Sequence, residues 1–157
     1  MAFQRIACCV DFSENASKAF DTALDMAAAF QARLYVVHVL PPVINPMVTE
    51  EAWVPPEEPR KTLLLKLEER LQQDYMSRIG PAVDHELVIL DGHVSSEIIG
   101  FVSEKEIDLV VTGSYGESGM GLVLFGSVAK RVARKADCSV MIVREKGSHR
   151  QTEKSGE

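Results

Sequence analysis

Residues 107–112 read IDLVVT and residues 113–127 read GSYGESGMGLVLFGS. A short apolar run with β-branched residues, followed directly by glycine, is the pattern of a strand buried on both faces of a sheet. Val128, Val132 and Ala136 then recur at helical spacing, with Lys130, Arg131, Arg134 and Lys135 on the other side, so a helix follows the glycines. Glycine reaches φ > 0 and carries no Cβ, so backbone N–H groups in a turn between strand and helix can converge on an anion. The stretch is a candidate phosphate cradle.

Working outward, the same strand-then-helix alternation repeats along the chain. Ile6-Ala7-Cys8-Cys9-Val10 is a first apolar run ending at Asp11, and Ser13 is placed to cap a helix over about 14–31 that carries Ala16, Phe20, Ala23, Leu24, Ala27 and Phe30. Leu34 to Leu40 reads as the second strand, with Pro41-Pro42 ending it. Val43 to Arg60 holds four further prolines and four glutamates; neither helix nor central strand is expected there, and a long loop over 41–60 is. Lys61 to Ile79 resumes the helical period with Leu64, Leu67, Leu71 and Tyr75 on one stripe, before the stop at Gly80-Pro81. His85 to Leu90 is the third strand, Ser95 or Ser96 is expected to cap a helix with Ile98, Ile99 and Val102, Leu109 to Thr112 is the fourth strand, and Cys138 to Val143 the fifth. Residues 145–157 carry no apolar side chain and are expected to be a disordered polar tail.

Alternating strands and helices imply right-handed crossovers, and hence an α/β domain over 1–144: one doubly wound, five-stranded parallel sheet with helices on both faces. Ligands in such sheets bind beyond the carboxyl ends of the strands, where the strand order reverses. Asp11, Leu40, Asp91 and Gly113 all fall at carboxyl ends.

At 157 residues the chain suits one domain with a full core. Apolar residues at 46 % and charged residues at 25 % are an ordinary globular balance. A formal net charge of −6 argues against a general nucleic-acid or anionic-membrane surface, both of which need clustered cations. No apolar run approaches the roughly 18 residues of a membrane span, and no signal-peptide pattern opens the chain, so a cytoplasmic location is expected. Cys8, Cys9 and Cys138 lie in apolar runs without Cys-x-x-Cys spacing and read as reduced, buried thiols. His38, inside an apolar strand, reads as a satisfied core histidine; His85, His93 and His149 share no ligand spacing, and no metal site or catalytic triad is marked.

The glycine stretch is neither of the two commonest phosphate motifs. No Gly-Lys-Ser/Thr occurs, which excludes the Walker pattern. Gly119-Met120-Gly121 would need glycine or alanine at position 124, where Leu124 stands, and it follows the fourth strand rather than the first. What remains is Gly113-x-x-Gly116, nine residues, then Gly126-Ser127. With Asp11 after the first strand and a Val143-Arg144 ending to the last, this pattern resembles the ATP-binding branch of the universal stress protein family over about 3–144.

That resemblance implies strand order 3-2-1-4-5, a homodimer, and ATP bound with Mg²⁺ and without strong catalytic apparatus. It places Asp11 near adenine and ribose, the Val39 backbone against adenine, and Gly113, Gly116, Gly126, Ser127 and Val128 around ribose and phosphates. Ala129 stands where family members often have Ser or Thr. The function implied is a stress or regulatory protein whose nucleotide state modulates a client. A slow ATPase or autophosphorylating enzyme, and a nucleotide-free dimerisation module, are the competing readings. Pairing through the apolar last strand, Val140 to Val143, would give the dimer. Trp53, in the proline-rich stretch, could pack over the crevice, against a partner subunit or on its own surface.

Overall fold

The computed structural model describes residues 2–40, 57–114 and 126–144. Its elements follow in the order β1 (Arg5–Cys9), α1 (Glu14–Phe30), β2 (Arg33–Leu40), α2 (Glu57–Asp74), a 3-10 turn (Met76–Arg78), β3 (His85–Asp91), α3 (Val94–Glu104), β4 (Leu109–Gly113), α4 (Ser127–Lys135) and β5 (Ser139–Val143). The five strands form one parallel sheet in the order β3-β2-β1-β4-β5, as expected.

The alternation of side chains along each strand divides the core in two. Ile6, Cys8, Leu34, Val36, Leu109 and Val111 point to one face, where Ala16, Phe20, Ala23 and Ala27 of α1, Leu71 of α2 and Tyr75 just after it cover them. Ala7, Tyr35, Val37, Val39 and Val110 point to the other, against Ile98, Phe101 and Val102 of α3 and Val132 of α4. Helices α1 and α2 thus cover one face, and α3 and α4 the other. The chain reverses direction across the sheet between β1 and β4.

Three boundaries differ from expectation. Helix α2 starts at Glu57, inside the stretch expected to be loop, and ends at Asp74 rather than Ile79. Pro59 is tolerated because the first turn of a helix needs no N–H from it, and after Tyr75 the chain tightens into the 3-10 turn. The α3 cap is His93, not Ser95 or Ser96; both serines lie within the first turn, and their hydroxyls meet His93 Nδ1. The α1 cap is as expected, with Ser13 Oγ accepting the Ala16 N–H at 3.1 Å. All three cysteines are free thiols, Cys8 fully buried. Burial raises the Cys8 thiol well above the ordinary range and Cys9 to about 12, while Cys138 is raised less by its shallower burial. The expectations for residues 41–56, with Trp53, for Gly116 and its neighbours, and for the tail beyond Arg144 lie outside the described residues.

Candidate functional site

Asp11 stands just beyond β1, where the turn into α1 begins. The Val10 N–H extends the β1–β2 ladder by donating to the Val37 carbonyl at 2.9 Å. The Asp11 carboxylate then accepts from the Ser13 N–H at 3.0 Å and from the Ser13 hydroxyl. So Asp11 is a helix-entry residue, braced on the cap of α1, and also an acidic group at the carboxyl edge of the central strand.

Gly113 closes β4, paired in register with Val143 of β5. It is buried, and a Cβ built on it would lie 2.9 Å from both the backbone carbon and the Cβ of Asn15, in the first turn of α1. Glycine is needed here because helix and strand approach too closely for any side chain. The same contact places the β1–α1 turn directly beside the start of the glycine-rich connection.

The two ends of that connection are tied together. The Ser114 N–H donates to the Val143 carbonyl at 3.0 Å, and the Ser114 carbonyl accepts the Gly126 N–H. Gly126 is the cap of α4, with φ −58° and ψ 150°, and no side-chain group caps it. Its N–H, read from sequence as a phosphate ligand together with those of Ser127 and Val128, is engaged by Ser114 instead. The Lys130 N–H makes the first intrahelical bond, to the Gly126 carbonyl at 3.0 Å. The amides of Ser127, Val128 and Ala129 therefore have no intrahelical acceptor and form the first turn of α4, where the helix dipole is positive. Ala129 itself is 3 % exposed, so a side chain at that position points toward the core.

Val39 is buried on the α3–α4 face, in the apolar cluster against which Val128 also packs. Its neighbour Leu40 has its carbonyl engaged by the Gly92 N–H at 3.1 Å. The Asp11 turn, Gly113 and the start of α4 are thus brought to one edge of the sheet, at the reversal point between β1 and β4. Val39 joins them through the core beneath. Among the described residues, no three His, Cys, Asp or Glu side chains group as a metal site.

A model of the universal stress protein family matches residues 2–144. The chain belongs to that family. This universal stress protein is 30 % identical over 150 residues to universal stress protein YxiE of Bacillus subtilis, covering 90 % of this chain and 99 % of the relative. It superposes on the structure of the universal stress protein UspA from Lactobacillus plantarum with a TM-score of 0.73 and 26 % identity, covering 92 % of this chain and 99 % of that one. A universal stress protein solved in complex with cAMP matches with a TM-score of 0.60 and 26 % identity, covering 91 % and 98 % of the two chains. Among the described residues no helix is long and apolar enough to cross a membrane.

Sequence reading passed over the groups that support Asp11 in this universal stress protein. His38 is a satisfied core histidine, as expected, but its partner is the Val10 carbonyl, 2.8 Å from Nδ1. Tyr75 looked like one more apolar stripe residue; its hydroxyl accepts the Phe12 N–H at 3.2 Å. A polar-tipped Tyr where the stripe otherwise carries Leu was the one available signal, and its target 63 residues away was not.

Proposed function

We propose that this universal stress protein binds ATP at the carboxyl edge of its sheet, and that the nucleotide state alters a surface met by a regulatory partner protein. The observation that carries the reading is the meeting of the Asn15 turn with Gly113, beside the Ser114–Gly126 link that opens α4. In this reading the Asp11 carboxylate accepts from ribose hydroxyls and the backbone at Val39 faces adenine. Gly113, Gly116, Gly126, Ser127 and Val128 surround ribose and phosphates, with the Ser127 and Val128 amides offering N–H donors at the positive end of α4. Mg²⁺ would offset the triphosphate charge, keeping water and phosphate oxygens as most of its ligands. The relative solved with cAMP supports an adenine nucleotide as the ligand class.

The test is direct. Protein purified from cells is denatured and its supernatant run on anion exchange, and the nucleotide-free chain is titrated with ATP by calorimetry. Adenine nucleotide in the supernatant, or saturable binding that Asp11→Ala weakens severalfold, is expected. The absence of both nucleotide release and ATP binding would sink the reading.

A cytoplasmic homodimer belongs to the same proposal. Strand β5 pairs with β4 along one side and is the last strand of the sheet, with Val140 to Val143 only half-buried. A second β5 would satisfy its outer backbone groups and cover those side chains. Light scattering at micromolar concentration should give twice the 17.3 kDa chain mass; a monomer mass counts against it.

A further inference from the structure

The turn that carries Asp11 is held by side chains from two other elements. Phe12 has φ 66°, a left-handed conformation that bulky residues seldom adopt and that persists only when surroundings enforce it. The enforcing contacts are visible. His38, on β2, brings Nδ1 to 2.8 Å from the Val10 carbonyl; a carbonyl only accepts, so Nδ1 carries the proton. Tyr75, at the end of α2, accepts the Phe12 N–H at 3.2 Å. The Phe12 ring lies 5.2 Å from the His38 ring and 5.9 Å from that of Tyr75, with the Arg70 guanidinium 3.8 Å over its centre.

These two hydrogen bonds land on the two peptide groups that flank the Asp11 Cα. The Val10 carbonyl belongs to the peptide before it, and the Phe12 N–H to the peptide after it. Fixing both planes fixes the φ and ψ of Asp11, and so the direction in which its side chain leaves the backbone. Burial raises the Tyr75 phenol to about 12, so it remains a neutral phenol through the physiological range.

We infer that His38 and Tyr75 are positioning residues for the candidate nucleotide site, holding the Asp11 carboxylate at the sheet edge through the backbone of Val10 and Phe12. The inference rests on the nucleotide reading above for what Asp11 meets, and on the hydrogen bonds alone for how Asp11 is held.

The test is a double-mutant cycle read by calorimetry with ATP. Tyr75→Phe deletes only the hydroxyl, and His38→Leu removes the donor; each should weaken ATP about three- to tenfold in a chain that still folds, since each removes one hydrogen bond. His38→Asn, whose amide nitrogen reaches a similar place, should restore most of the loss. In an Asp11→Ala background the same changes should shift affinity less than twofold, because there is no carboxylate left to position. Equal losses in both backgrounds, or unchanged affinity in the folded single variants, would overturn the assignment. A wild-type chain that binds no ATP removes the nucleotide reading alone. Whether Tyr75 holds the turn is then decided by amide exchange: Tyr75→Phe should speed exchange at Phe12 at least tenfold while leaving Ile6 and Cys8 in β1 unchanged, and an unchanged rate at Phe12 would overturn it.

Discussion

Gly113 and Gly126 belong to the same sequence motif and do different physical work. Gly113 is closed in by α1: the atoms that a Cβ would meet at 2.9 to 3.0 Å include the backbone carbon and oxygen of Asn15, and a helix backbone cannot swing aside as a long side chain can. Gly113→Ala should therefore cost about 1–3 kcal/mol of stability by overpacking, read as a lower midpoint in urea unfolding. It should also push α1, and with it the Asp11 turn, away from β4. An unshifted midpoint would mean that the α1–β4 contact is looser than described. Gly126, with φ −58° and ψ 150°, sits where any residue is conformationally at ease. Its glycine is not required by the backbone torsions.

At the scale of the element, α1 shows where local rules and strain sit side by side. Its start is well made: Ser13 caps the first turn, Glu14 stands at the positive end of the dipole, and Asp11 braces the cap. Its end is not. Gln31 caps the carboxyl terminus in the left-handed region, φ 56° and ψ 37°, with its N–H on the Ala27 and Ala28 carbonyls. Glycine is the residue this position favours. Gln31 is exposed, so Gln31→Gly removes little packing and should stabilise the protein by about 0.5–1 kcal/mol. A rise of a few degrees in Tm would bear this out; a fall would show that Gln31 makes a compensating contact. Phe12 carries the same kind of backbone strain two residues before α1, but there two rings and a guanidinium surround it. Replacing Phe12 by glycine would relieve the torsion and discard the contacts, so it should not stabilise.

For the whole molecule, Cys9 and Tyr75 set an alkaline limit. Burial raises Cys9 from its ordinary 9.0 to about 12, and Tyr75 from 10.0 to about 12. Above pH 9 the unfolded chain gives up protons that the folded chain still holds. Their contribution is therefore complete below pH 9 and is lost as pH rises toward 12. Each group should add at most about 1.4 kcal/mol per pH unit to this decline. Melting temperatures measured from pH 8 to 11 should fall, and the fall should be shallower for Cys9→Ala and Tyr75→Phe even if both variants start lower. Parallel curves for wild type and variants would contradict the desolvation of these two groups.

Much of this protein was legible from residue order. Apolar runs of five to eight residues separated by helical periods identify strands buried on both faces, and five of them joined by helices leave few topologies beyond a doubly wound parallel sheet. The spacing Gly113-x-x-Gly116 and Gly126-Ser127, with Asp11 after β1, marked which strand ends to watch and which family to expect. What residue order could not determine is everything set by contacts between distant segments. That Gly113 is a packing glycine depends on Asn15; that the Gly126 N–H is taken depends on Ser114; that Tyr75 and His38 grip the peptides around Asp11 depends on how α2 and β2 lie against the β1 edge. Local pattern reports period and propensity, which act over a few residues. A hydrogen bond between residues 63 apart exists only once the sheet has assembled and brought both ends of it together.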